Sequence, residues 1–552
     1  FGSSQACVSS VASSQAWFLP EHVSHNEVPL MNDFLSSLFR QQPIVVKSGR
    51  ETLKRDLRTL DLVLIGLGNI VGGGIYILFG IATHAAGPAV TLSFLATGVA
   101  ATCSALCYAE FAARIPVAGS AYVFTYHVVG EFFAWHVAWA MVLEMVTGSA
   151  AVSVGWSNYT RSFLEGLKVD VPWLLQEVPF GGYFKLDLMA LGFLLYLTTV
   201  VAMGISESKW MNHIATSVKI GALVLVIVLA FSYADLDNWH NFSPNGSLGV
   251  VKAAATVMFA YTGFEVVAQC AEEAKDAERS LPIGIVGSVV CATLVYALVS
   301  ASITLMVPWQ SVDMNAPLAF AFSKHQTWMV PTVSAAAVIG LFAIGLGNIL
   351  ASSRLLMGLG RDGLLPRFLG KVNQSSKTPI TATCVVGSMA ATMTFVFPYS
   401  FLTEMVSVGT MFAFTMVCID LIVTRAHDES RPAVLPAALL SFTLCCFAAC
   451  STYHRSMWTA FATFLFLASG ISVCLCLLSK KPAFAANSFT VPFGTAVALV
   501  GISMNIIMTT SLEAALEWNV GWFAIGWLVY FGYGRQHSAV ASPESAQLVS
   551  SP

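Results

Sequence analysis

The stretch GLGNIVGGGIYILFG, residues 66–80, places three consecutive glycines, Gly72, Gly73 and Gly74, inside an apolar run long enough to cross a bilayer. Glycine in a helix interior costs about 1 kcal/mol relative to alanine, so an inert anchor gains nothing from this composition. The glycines allow a helix to stop and restart. The restarting half then offers N–H groups without helical partners and the positive end of its dipole, which suit a carboxylate. The stopping half offers carbonyls, which suit an ammonium. With no side chains in the way, a ligand can approach the main chain closely. Gly66 and Gly80 read better as packing positions between membrane helices.

A second interruption follows about 190 residues later. The apolar segment AATVMFAYTGFEVVAQCAEE carries Tyr261-Thr262-Gly263 at its centre. Five apolar segments separate the two breaks, and an odd number inverts the second set of five relative to the first. Paired interruptions at matching places in two inverted halves are the best sequence pointer to the binding site of a secondary transporter. Non-helical backbone at membrane depth survives only where it lines a cavity or is buried in protein, because an unpaired backbone group costs several kcal/mol in hydrocarbon.

Three ionisable residues fall inside apolar segments, where each costs about 2.5–3.5 kcal/mol on insertion scales. Glu144 faces the side chain of a cationic ligand or braces the first broken helix. Glu265, two residues beyond Gly263, reads as a brace for the second break. Lys219 is an ammonium able to release and regain a proton, or one held permanently by a buried carboxylate. Asn348, Ser352 and Ser353, in GLGNILASSRLL, are polar contacts between helices or gating groups. Glu110 with Arg114, and Arg354 and Arg361 with Asp362, are candidate networks at segment ends.

The elements positioning these residues are helices. About 20 apolar residues make one crossing, and fourteen segments qualify, near 59–82, 89–113, 131–156, 187–205, 213–232, 248–270, 283–307, 330–350, 380–397, 401–424, 433–450, 457–478, 490–510 and 514–533. With both ends of the chain on one side, Arg161, Lys168, Lys185, Lys252, Lys324 and Arg455 face outward. Lys219 is inside a segment, and the remainder of the 27 Lys and Arg residues face inward. The positive-inside rule therefore predicts cytosolic termini. Asn158, Asn241 and Asn245 then become outward glycosylation candidates, Asn158 being close to the membrane.

Composition agrees. The 552 residues are 56% hydrophobic and 10% charged, with mean hydropathy +0.73, whereas soluble domains carry about 25% charged residues. A net charge of −3 gives no basic surface for nucleic acid. Cysteines such as Cys103, Cys107, Cys445, Cys446 and Cys450 sit in apolar runs as small hydrophobes. No Cys-x-x-Cys pair accompanies histidines, so no metal site is expected. Nor does any constellation suit an enzyme, and no cofactor is implied. Residues 1–56 read as a cytosolic tail with a short amphipathic helix at Asn32 to Phe39. The chain opens on Phe1, so the native N-terminus is expected to lie further upstream.

Several separated motifs carry a resemblance: GLGNIVGGGIYILFG, GPAVTLSFL, CYAEFAARIPVAGSAYVFTYHVVGE, FAYTGFEVVAQCAEEAKDAERSLPIGI, SRLLMGLGRDGLLP and YFGYGRQHS. Over residues 50–537 the chain resembles the cationic amino acid transporters of the amino acid–polyamine–organocation superfamily. The resemblance implies an all-α integral membrane protein with a five-plus-five inverted-repeat core at 57–424. Additional helices occupy 425–533, and a cytosolic tail 534–552. It implies that Ile70, Gly72, Gly73 and Gly74, with Phe259, Ala260 and Thr262, meet the carboxylate and amine of an amino acid. Lys219 stands where proton-coupled members carry a lysine, and Glu265 where many carry aspartate. The implied activity is alternating-access transport of arginine, lysine or ornithine, with protons as candidate partners. A neutral or broad-range permease and an amino-acid sensor are the alternatives. The plasma membrane is favoured over a vacuolar or lysosomal one.

Overall fold

The computed structural model describes residues 37–41, 57–115, 120–172, 175–176, 178–180, 184–204, 209–271, 274–373, 376, 378–425, 434–454, 457–478 and 489–541. Most of the helix expected at Asn32 to Phe39 lies outside this set. The chain begins its bundle with α1 (Thr59–Ile70), at whose start Arg58 N–H donates to Asp61 Oδ2 at 2.9 Å. Val71 and Gly72 leave the helix, and α2 (Gly73–Ala86) resumes it. Gly87, at φ +67°, and Pro88 then turn the chain into α3 (Val90–Arg114).

A short α4 (Ser120–Val128) precedes the long α5 (Glu131–Gly166), followed by α6 (Leu188–Ala202) and α7 (Lys209–Ser232). The second broken helix is α8 (Gly246–Thr256), a 3₁₀ stretch Val257–Tyr261, and α9 (Glu265–Gln269). Beyond it run α10 (Ala277–Met306), the short α11 (Pro317–Phe320), α12 (Met329–Arg361), α13 (Ile380–Val396) and α14 (Tyr399–Arg425). Then come α15 (Val434–His454), α16 (Trp458–Leu478), α17 (Gly494–Thr509) and α18 (Glu513–Val529).

Each of the fourteen segments read from the sequence overlaps at least one helix. Among the described residues nine helices are long and apolar enough to cross a membrane, or ten if α17 and α18, bent by 105° at Thr510–Leu512, form one span. One departure from the all-helical expectation is a small antiparallel hairpin, Val178–Phe180 with Phe184–Leu186, in the α5–α6 connection. Of the glycosylation candidates, Asn158 lies within α5 and accepts a hydrogen bond from Arg161 at 3.1 Å. Asn245 spends its amide nitrogen on the Ala85 carbonyl at 2.8 Å.

Counted by the fourteen segments read from the sequence, helix pairing follows an offset of five. The two broken helices touch each other, α3 packs on α10, α5 on α12, and α6 on α13. Helix α7 packs against α1, α10 and α12, while α14 packs against the α8 region, α3 and α5. Where the helices meet, Tyr76, Phe79, Phe94, Tyr108, Trp135 and Tyr261 are buried within one continuous core.

A crossing of two broken helices

The first break is shaped by what its backbone meets. Val71 N–H still bonds Leu67 O at 2.8 Å, and the chain then turns extended. The first turn of α2 leaves the amides around Gly72–Gly74 without intrahelical acceptors, the usual condition of a helix N-terminus. At the second break, Thr262 is extended and Gly263 stands at φ +119°, a conformation that favours glycine. Both carboxylate oxygens of Glu265 accept from Gly263 N–H, at 3.0 and 2.8 Å. Glu265 thus holds the extended backbone just before the helix restarts.

The two breaks cross in contact. A Cβ on Gly74 would overlap the backbone of Ala260, and one on Gly263 would lie 2.8 Å from the Asn69 carbonyl carbon and 2.9 Å from Ile70 N. Tyr296 of α10 ties them together: its hydroxyl is 2.7 Å from Ile70 O and 3.0 Å from Ala260 O. Ser407 of α14 donates to Thr256 O at 3.0 Å and accepts from Phe259 N–H at 3.4 Å. Thr262 Oγ1 returns to Phe259 O at 2.9 Å. Ile70, Gly72, Gly73, Gly74, Phe259, Ala260 and Thr262 therefore occupy one place.

The side chains around the crossing differ in position. Lys219 is buried and donates to Gly68 O at 2.6 Å; its stem crosses Gly340 of α12, and its Nζ lies 3.5 Å from a Cβ placed on Gly72. Asn348 Nδ2 lies 3.3 Å from a Cβ placed on Gly148, and the Phe259 ring approaches the same point at 3.7 Å. Glu144 sits against Gly409 and Thr410 of α14, within electrostatic reach of Glu265 rather than on the first break. Glu144, Thr262, Glu265 and Asn348 are each half-buried. Ser352 is not among them: it is buried and returns its hydroxyl to Asn348 O of its own helix at 2.6 Å.

Two networks close the end of the bundle where α3, α4 and α12 terminate. Glu110 pairs with Arg114 at 2.7 Å, as its sequence position suggested, and also with Arg425 of α14; its Oε2 further accepts from Val491 N–H at 2.6 Å. Asp362 accepts from Tyr122 of α4 at 2.6 Å. Burial raises the Asp362 carboxyl above its ordinary value, and the Tyr122 bond and the nearby Arg361 charge offset part of this. Tyr296, Ser407 and Arg425 were not singled out from sequence. A tyrosine or serine in an apolar segment must find a partner, so each was visible as a question, but its partner lies over thirty residues away.

Two interrupted helices in contact, with backbone donors and acceptors at both breaks, are the pattern found in secondary transporters. Sequence comparison agrees: the profile of the amino acid permeases matches residues 57–461, and the chain belongs to that family, in its cationic amino acid transporter branch. A methylthioribose transporter of Bacillus subtilis (strain 168) is 33% identical over 91% of this chain and 99% of its own length. The branched-chain amino acid permease BcaP of the same organism is 38% identical over 72% of this chain and 87% of its length. A vacuolar cationic amino acid transporter 4 of Arabidopsis thaliana is 36% identical over 71% and 67%. Among the described residues no group of His, Cys, Asp and Glu is arranged to hold a metal ion.

Proposed function

We propose that the protein moves cationic L-amino acids (arginine, lysine or ornithine) across a membrane by alternating access. The observation that carries this reading is the contact between the two breaks. There the amides of Gly72, Gly73 and Gly74 suit the substrate carboxylate, and the carbonyls around Ile70, Phe259 and Ala260, with Thr262, suit its ammonium. Glu144 and Glu265 place two carboxyl groups near that point, acceptors that suit a cationic side chain. The offset-of-five pairing of helices supports a five-plus-five inverted repeat within a bundle of fourteen crossings. On this reading residues 57–424 form the core, 425–533 add helices, and both termini are cytosolic. Lys219, on the Gly68 carbonyl at the end of α1, links the protonation or rotation of α7 to the first break.

Energetics permit transport with or without protons. A cation gains about 2.3 kcal/mol per 100 mV on entering a negative compartment. That supports accumulation on the order of 50-fold at about 1.4 kcal/mol per tenfold. Radiolabelled arginine uptake into proteoliposomes, with potential and pH gradient imposed separately, tests the reading. Uptake on potential alone, unaffected by excess leucine, is the result for a cation carrier with Lys219 in a gating role. A second reading, a neutral or broad-range permease, is favoured by the similarity to BcaP; it requires leucine to compete and a proton gradient to drive accumulation.

A further inference from the structure

The C-terminal end of the described chain is fastened to the α4 end of the bundle by an arrangement that the transport reading does not use. After α18 the helix widens over Tyr530–Gly534, takes one turn at Arg535–His537, and ends in a 3₁₀ turn, Ala539–Ala541. Its anchor is Glu131, fully buried at the start of α5. Glu131 accepts three hydroxyls: Tyr126 of α4 at 3.1 Å, Tyr530 at 3.1 Å and Ser538 at 2.5 Å. Ala539 N–H bonds the Asp362 carbonyl at 2.8 Å, and the backbone of His537 lies against Gly363. The segment thus joins Glu131 to Asp362, the two carboxylate residues to which α4 offers Tyr126 and Tyr122. Helix α4 in turn packs on α9, the distal half of the second broken helix.

Ser538 is buried, while Gln536, His537 and Ala539 on either side are exposed. The turn lies at the end of the described chain, where local opening costs less than unfolding the bundle, and opening it presents Arg535-Gln536-His537-Ser538, with a basic side chain three residues before the hydroxyl. We propose that residues 535–541 are a releasable latch over Glu131 and Asp362, the two residues that hold α4, and that Ser538 is its phosphoacceptor. A protein kinase supplies the chemistry with a nucleoside triphosphate. The Ser538 oxygen bonds the γ-phosphorus, the bond to the diphosphate leaving group breaks, and the hydroxyl proton passes to the kinase base. The product carries a charge of about −1.5 to −2 near neutral pH, and it cannot return beside the buried Glu131 carboxylate. The latch then stays open, Glu131 and Asp362 each lose a partner, and α4, which they hold through Tyr126 and Tyr122, resists movement of α9 less.

The test treats the full-length protein in proteoliposomes with a basophilic kinase catalytic subunit and ATP, then compares it with Ser538→Ala and Ser538→Glu. Mass spectrometry should find phosphate on Ser538 and not in Ser538→Ala. Hydrogen exchange at the amide of Ala539 should quicken at least about tenfold in the phosphorylated protein and in Ser538→Glu. Initial uptake should rise severalfold with KM unchanged. The exchange readout does not depend on which substrate is carried, so it separates failure of the latch from failure of the transport reading. Phosphorylated Ser538 with unchanged exchange at Ala539 overturns the proposal, as does a Ser538 that the kinase leaves unmodified. Should Ser538→Glu not fold, the enzymatically phosphorylated wild-type protein decides the matter.

Discussion

At the scale of single residues the account rests on which backbone atoms approach one another. Gly74 and Gly73 are neighbours with opposite surroundings: a methyl on Gly74 strikes the Ala260 backbone, whereas one on Gly73 meets Ile344, Ile77 and Val152 at an ordinary 3.8 Å. Gly74→Ala should therefore abolish uptake, and Gly73→Ala should keep it within about threefold of wild type, in the same proteoliposome assay. Tyr296→Phe removes the one donor that serves both breaks and leaves buried carbonyls short of a partner, a cost of about 1–3 kcal/mol; a lower melting temperature in detergent checks it. Asp362 gives a pH dependence. Its folded pKa is raised, so its stabilising contribution is complete below the unfolded pKa and disappears as pH climbs through the folded one. Asp362→Asn should gain melting temperature over wild type as pH rises from acid to neutral, and a constant difference would contradict this. The glycines were legible in the sequence because their effect is local. Tyr296 was not, because its acceptors lie 226 and 36 positions away.

At the scale of elements, attachment of the last helices is the question. Helix α17 is joined to the core through Glu110, whose carboxylate meets Arg114, Arg425 and the Val491 amide together, and Gly494 lies directly under the Arg425 guanidinium. Removing one partner of a buried ion pair typically costs about 3–5 kcal/mol. Glu110→Ala should accordingly lower the unfolding midpoint sharply and raise proteolysis at the connection preceding α17. Helix α18 is held differently: the Trp139 and Trp522 indoles each donate to the other's carbonyl, at 2.9 and 3.0 Å, and Trp135 donates to Gly526 O at 3.0 Å. Sequence showed that these helices exist, because apolar length is a local property. It placed Glu110 with Arg114 through their four-residue spacing, but Arg425 lies 315 positions from Glu110 and no periodicity reaches that far.

At the scale of the molecule, two interrupted helices cross at a point where neither could be interrupted alone. Each break leaves backbone groups unpaired, and each is supported by the other and by groups from α7, α10 and α14. The two interruptions were visible in the sequence; that they touch is a matter of packing, shown by Gly74 on Ala260 and Gly263 on Ile70. The central claim is that this crossing reads the carboxylate and the ammonium of an amino acid through the main chain. The most direct measurement is competition against radiolabelled arginine uptake by agmatine, which lacks the carboxylate, and by argininic acid, which lacks the α-ammonium. The account predicts that neither competes at concentrations where unlabelled arginine and lysine do. Agmatine competing as well as arginine would contradict it, because recognition would then reside in the cationic side chain and not at the breaks.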